Sequence, residues 1–348
     1  QGTRLVARGT PPWSMALSHG GALEAAAWAL ASVPPRRRGP EPAARAAPVA
    51  PGAEPGSCAD SPAVPRVAGE GGCLRGELLG RGLAFFGGVP YAVPPVGPLR
   101  WRRPRPLPAL VAAGELDCTS SRGERRARPP QETAEAWAED CLLLDVWAPW
   151  PRDLGRRRPL LVCFVGDGFV QGAASEACGE AYAREHGIVF VSVQYRLGAL
   201  GWLWPRGGDS NCGLWDMVEA LRWLQRNACS FGGNADAVTV MGHGAAADAL
   251  AWLCTSPVAA GLFDRAVLMS PGTLALPAPA QAAELAEDFV SQLAGHRRRW
   301  PLAALQSLSP GELLQAQRSP GFTLDPTVVP GWRTGGVPPS ACPPQGPA

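Results

Sequence analysis

Residues 238–250, VTVMGHGAAADAL, join a β-branched apolar run to an alanine-rich run through a Gly-x-Gly corner. The first run suits a buried strand and the second a helix, so the stretch predicts strand, sharp turn, helix. That frame constrains the chain more than any other feature. Written G-x-S-x-G, it carries a nucleophilic serine at the carboxyl end of a strand. Here Gly244 holds the serine's place, between His243 and Ala245.

The surrounding sequence supplies the sheet that such a frame needs. CLRGELL and LAFFGGVPYA alternate as the halves of a hairpin closed at Gly80 and Gly82. CLLLDVWAP, PLLVCFVG and GIVFVSVQYR read as short apolar strands, DMVEALRWLQRNA as a helix, and DRAVLMS as another buried strand. AQAAELAEDFVSQLAG has the spacing of an amphipathic helix, and SPGELLQAQ that of a shorter one. Apolar strands alternating with helices predict an α/β fold, with a mostly parallel central sheet covered by helices on both faces.

Only part of the chain carries this signal. Residues 1–62 are rich in Ala, Pro, Arg and Gly and read as a disordered leader, because they bury too little apolar surface to offset their ordering entropy. Arg36 to Arg38, within it, read as a solvated charge run. Residues 63–335 read as the folded domain and 336–348 as an irregular tail. With 32 basic and 30 acidic residues, all the former arginine, the net charge of +2 points to neither nucleic acid nor an anionic membrane as partner.

Ten cysteines hint at an oxidising compartment. None has a C-x-x-C or Cys/His spacing, so no metal is expected, and no pattern asks for a cofactor. Cys163, Cys212 and Cys254 fall in apolar stretches and read as buried thiols. Asn-x-Ser/Thr is absent, and the Asn-x-Cys form occurs at Asn227. No apolar run reaches the roughly 18 residues of a membrane span. MALSHGGALEAAAWALASVPP, from Met15, fits a signal peptide poorly: it lacks a basic start, and Glu24 interrupts it.

Six stretches follow one another in a telling order: GGVPYAVPPVGPLRWRRP, EDCLLLDVWAP, VGDGFVQGAAS, VSVQYRLGALGWL, GLWDMVEALRWLQRNACSFGGNADAVTVMGHGAA and GLFDRAVLMS. Together they resemble the type-B carboxylesterase/cholinesterase family over roughly residues 64–330. The resemblance implies an α/β-hydrolase fold with a serine, an acid and a histidine on loops at one edge of the sheet, and a secreted or endoplasmic-reticulum setting. It implies structural ion pairs Arg100–Glu139 and Arg196–Asp216. It marks Cys141 as a disulfide cysteine, with Cys118 as candidate partner, several residues before the usual place. It also implies that the C-terminal part of the domain is missing here. The family includes non-catalytic members, such as neuroligins and the cholinesterase-like part of thyroglobulin.

The departures bear on function. Glycine at position 244 keeps the turn and removes the oxygen that would attack an acyl carbon. The oxyanion segment, Gly-Gly-Gly in the family, reads Gly166-Asp167-Gly168, with Ala245 to supply a further N–H. Asp167 still has its own N–H to donate, but its carboxylate brings negative charge near the oxyanion position. The histidine following Gly244 is His296, and the acids beyond it have no histidine after them to complete the order nucleophile, acid, histidine. His243 is a candidate substitute base, though packing or hydrogen bonding beside the turn explains it as well. His186, in REHGIVF, reads as a turn residue before a strand, and His19 lies in the leader.

The expectation is a catalytically inactive relative that works by binding proteins or small molecules, with a protein partner on the hydrolase-like surface. Two alternatives stand beside it. One is a carboxylic-ester hydrolase of which this chain is an incomplete or aberrant form. The other is a non-functional product of a decayed or incomplete gene.

Overall fold

A computed structural model describes residues 64–318 except 71, 81, 109–114, 120–138, 178, 273–278 and 295–299. The expected leader (1–62) with His19 and Arg36 to Arg38, the tail (336–348) and His296 lie outside the described residues. The strands are β1 (Arg66–Gly69), β2 (Gly72–Arg75), β3 (Glu77–Leu78), β4 (Leu83–Pro90), β5 (Glu115–Asp117), β6 (Leu143–Pro149), β7 (Arg158–Phe164), β8 (Val189–Val193), β9 (Gly233–His243) and β10 (Arg265–Met269). The helices are α1 (Gly179–His186), α2 (Gly198–Trp202), α3 (Cys212–Asn227), α4 (Ala245–Cys254), α5 (Pro279–Ala294), α6 (Leu302–Gln306) and α7 (Pro310–Gln317).

Seven strands form the main sheet in the order β10-β9-β7-β8-β6-β4-β3, and β1-β2-β5 form a small second sheet. From β7 onward the strands alternate with helices and pair in parallel, as the apolar pattern requires. The earlier strands β3, β4 and β6 pair antiparallel, with no α-helix between them among the described residues, so the whole is a mixed sheet. The expected hairpin is the β3–β4 pair, closed where Leu79 N–H donates to the Leu83 carbonyl at 3.0 Å. Gly80 and Gly82 turn the corner with φ of +68° and +86°. The CLR half of that stretch instead becomes β2 of the small sheet. The crossing point is Gly76, which passes so close to the Phe85 and Phe86 backbone and ring that no Cβ would fit.

Alternation along each strand feeds a core on each face. Phe86, Val146, Val162, Val191 and Val240 pack under α3 and α4, through Leu214, Met217, Leu221, Leu250 and Leu253. Phe85, Trp147, Leu161, Phe190 and Met241 pack under α1, through Tyr182 and Ala183. Each such side chain, taken fully out of water, contributes about 1.5–3 kcal/mol. β10 departs from the expected buried strand. Among the described strands it is last in the order and has one neighbour, and it alternates between half-buried and exposed residues, with Leu268 37% exposed. His186 is also corrected: it is the last residue of α1, not a turn residue.

Both expected ion pairs form. Arg196 donates from Nε to Oδ2 of Asp216 at 2.7 Å and from Nη2 to Oδ1 at 2.6 Å, and its own backbone N–H reaches Oδ2 at 3.1 Å. Arg100 meets Glu139 at 2.5 Å and donates to the Leu305 and Leu308 carbonyls at 3.1 and 2.9 Å. The cysteines diverge from expectation. Cys118 and Cys141 are not bridged. Cys118 is fixed at the end of β5, its N–H donating to Arg75 and its carbonyl accepting from Gly87. Cys141 keeps its thiol in the buried surroundings of Asp216 and Arg196, and burial pushes that thiol well above its ordinary range. Cys73 is disulfide-bonded, to a residue outside those described. Cys163 and Cys212 are buried, the Cys212 thiol pushed up to about 11 chiefly by burial, whereas Cys254 is exposed at the end of α4. Asn227 is buried, donating to the Trp223 carbonyl and accepting from Glu70 N–H, which closes its amide to glycosylation in the folded chain.

Candidate functional site

The turn between β9 and α4 is the corner that the sequence predicts. Gly244 lies there at φ +56°, ψ −123°, a conformation that strains any side-chain-bearing residue. Its N–H donates to the Met269 carbonyl at 2.9 Å, and its carbonyl accepts from Asp248 N–H at 3.0 Å. A Cβ added at 244 would meet nothing within 4 Å, so the place of the missing side chain is open. Gly242 is different: a Cβ there would stand 2.9 Å from the Ala246 backbone and 3.0 Å from Leu250, because α4 packs directly onto the strand end. One glycine permits a conformation, and the other permits an approach.

Strand register sets the second half of the site beside the first. Phe164 is aligned with Gly242, which brings the loop after β7 level with Gly244. In that loop the Asp167 N–H donates to the Gln171 carbonyl at 2.7 Å. The Asp167 carbonyl accepts from Val170 and Gln171 N–H, and Gln171 Nε2 donates to Asp167 Oδ2 at 3.2 Å. Asp167 is thus closed on itself as a tight turn, and its N–H, expected to remain a donor, is engaged. Gly168, at φ +56°, and Ala245, first residue of α4, keep N–H groups that donate to no described backbone acceptor. Beneath the loop, the buried Tyr195 hydroxyl stands where a Gly166 side chain would go.

His243 is half-buried and aligned with Met269 of β10. Its ring hydrogen-bonds to no described residue, so the structure gives it no carboxylate to orient it as a base. His243, Gly242, Gly166, Val165, Cys163 and Met269 line a cleft of about 30 Å³, space for little more than a couple of water molecules. Among the described residues no group of three or more His, Cys, Asp or Glu side chains is placed to hold a metal ion. No helix of the described residues is long and apolar enough to cross a membrane.

Two residues of the site were not foreseen. Gln171 is the partner that closes the Asp167 turn, and a four-residue spacing alone does not announce it. Asp248 sits one turn into α4, 7% exposed, with Oδ1 lacking a hydrogen-bond partner among the described residues. Burial raises its carboxyl above the ordinary range, against the pull of a hydrogen bond from Gly272 N–H. Its signal in the sequence is faint: a single charge in the apolar run AAADAL.

The sequence pattern described as the carboxylesterase family matches residues 63–334. Phenmedipham hydrolase of Pseudarthrobacter oxydans is 38% identical over 210 residues, covering 58% of this chain and 41% of that protein. Fumonisin B1 esterase of Sphingopyxis macrogoltabida is 37% identical over 247 residues, 67% of this chain and 44% of that one. Carboxylesterase 3 of Homo sapiens is 34% identical over 269 residues, 70% of this chain and 44% of that one. In three dimensions the chain is similar to a carboxylesterase of Geobacillus stearothermophilus, with a TM-score of 0.65 at 33% identity, covering 76% of this chain and 55% of that one. This chain therefore spans less than half the length of those curated relatives, and about half of that solved structure.

Proposed function

This chain belongs to the carboxylesterase family, and we propose that it is a member that has kept the α/β-hydrolase frame and given up ester hydrolysis, acting by binding a protein or a small molecule. The observation that carries this reading is Gly244, at the corner of an intact strand–turn–helix, with open space where a side chain would stand. A hydrolase of this design needs an oxygen there to form the acyl intermediate. Loss of a triad serine lowers turnover by about a million-fold in subtilisin. The engaged N–H of Asp167 supports the same reading, since a donor already bonded within its own turn is not aimed at a developing oxyanion.

The intact frame also favours a second reading, in which the chain is a form of a carboxylic-ester hydrolase like its named relatives. A chromogenic p-nitrophenyl ester separates the two. The first reading expects no saturable turnover by the chain as it stands. It expects turnover only when Gly244→Ser is combined with a chain extended to the length of its relatives. Saturable turnover by the unaltered chain, abolished by substitutions around the elbow, would overturn it.

A further inference from the structure

Three neighbouring strands bring soft donor atoms to the cleft beside the elbow. Register sets Met269 of β10 beside His243 of β9, and Cys163 of β7 beside Met241 of β9. Alternation along each strand puts all four on one face of the sheet. Cys163, His243 and Met269 line the cleft, and Met241 belongs to the buried cluster on which Met269 packs. Two of the chain's four methionines thus meet one of its four histidines and a buried thiol. Side chains on neighbouring strands stand about 5 Å apart, and alternate residues of one strand about 7 Å apart. At those spacings two flexible thioethers and an imidazole can share one metal ion, with bonds of about 2.0–2.3 Å to nitrogen and sulfur.

We propose that this cleft binds one Cu(I) ion, held by Sδ of Met241, Sδ of Met269 and the His243 imidazole, with the Cys163 thiol beside them. The chemistry of the donors selects the ion. No carboxylate is among the described residues that line the cleft, so a hard cation finds no oxygen cage. Zinc takes thiolate, imidazole and carboxylate ligands, whereas thioethers favour Cu(I). An organic ligand, whose sites measure about 300–1,000 Å³, does not fit a cleft of about 30 Å³. A thioether binds without losing a proton and does not pair into a disulfide, which suits a chain disulfide-bonded at Cys73. The site escapes a reading of spacing along the chain because its donors come from separate strands. So held, the ion joins β9 to β10 at the level where the Met269 carbonyl accepts from Gly244 N–H. It does so whether or not the elbow is catalytic.

Silver(I), a redox-silent stand-in for Cu(I), is the probe. It is titrated into the full chain carrying an NMR-active carbon at each methionine ε-methyl, after exposed thiols such as Cys254 have been alkylated. Four methionines give four methyl signals, assigned by single Met→Leu substitutions. The Met241 and Met269 signals are expected to shift together and to saturate at one equivalent. Met217, buried in α3 on the opposite face, should stay in place. His243→Ala should remove both shifts. Met241→Leu should weaken Cu(I) binding about tenfold or more in competition with a chromogenic Cu(I) chelator. Met→Leu conserves volume, so circular dichroism of that variant should match the parent. Methyl signals that stay in place while silver saturates the remaining thiols overturn the proposal. So does a Met269 shift indifferent to His243→Ala, which would put the silver on a lone thioether.

Discussion

Asp216 and Asp248 are both carboxylates removed from water, and they are treated in opposite ways. Asp216, inside α3, is fully buried and receives three hydrogen bonds from Arg196, which follows β8. Asp248, one turn behind the elbow, is mostly buried and has one oxygen without a donor among the described residues. Burial raises both carboxyls, but only Asp216 has a guanidinium pulling the other way. An unsatisfied buried polar group costs about 1–3 kcal/mol. Both oxygens of Asp216 are thus supplied with donors, while Asp248 carries an uncompensated cost at one of its own.

Removing the partner of the paired carboxylate should have the largest effect. Arg196→Met leaves Asp216 buried and unpaired, and is expected to lower unfolding free energy by about 3–5 kcal/mol in urea titrations. Arg196→Met with Asp216→Leu should recover most of it, and a single variant costing under about 1 kcal/mol would erase the contrast. Next comes Gly242→Ala, whose new methyl meets backbone that has no room to yield; a loss at the upper end of about 1–3 kcal/mol is expected. Gly244→Ser should lose about 1–3 kcal/mol for a different reason, backbone strain with no contact, so a crystal structure should show neighbours unmoved.

The smallest effect sharpens the other side. The folded Asp248 carboxyl titrates above its unfolded value. Its stabilising contribution is fully present below the unfolded pKa of about 3.9 and is lost as pH rises through the folded value. Asp248→Asn should therefore melt with the parent at acid pH and a few degrees above it near neutrality. A variant less stable at neutral pH would mean that Oδ1 has a donor after all.

How much of this was legible depended on the range of the interaction. The elbow was readable because its cause is local: β-branched residues, a turn that only glycine enters easily, then alanines. The pairs of Arg100 and Arg196 were readable through the resemblance, since nothing in their own spacing names Glu139 or Asp216. The exposure of β10 was not, because RAVLM is as apolar as any central strand, and what sets it apart is that no described strand lies on its outer side. The Asp167 turn escaped for a related reason: its N–H is engaged by the path that the loop takes, which residue types alone do not specify. Cys118 and Cys141 failed as a pair because Cys118 is held by main-chain bonds to Arg75 and Gly87, and sequence separation says nothing of such anchoring.

The Arg100 clamp has a consequence in time. Its Nη1 donates to a carbonyl 205 residues further along the chain, at Leu305. At a synthesis rate of about 5–20 residues per second, Arg100 leaves the ribosome on the order of 10–40 seconds before that acceptor exists. Until then the guanidinium has Glu139 as its partner and lacks the two carbonyls that complete its surroundings. The order of translation, as much as the final contacts, governs how α6 and α7 come to rest against the loop that leads out of β4.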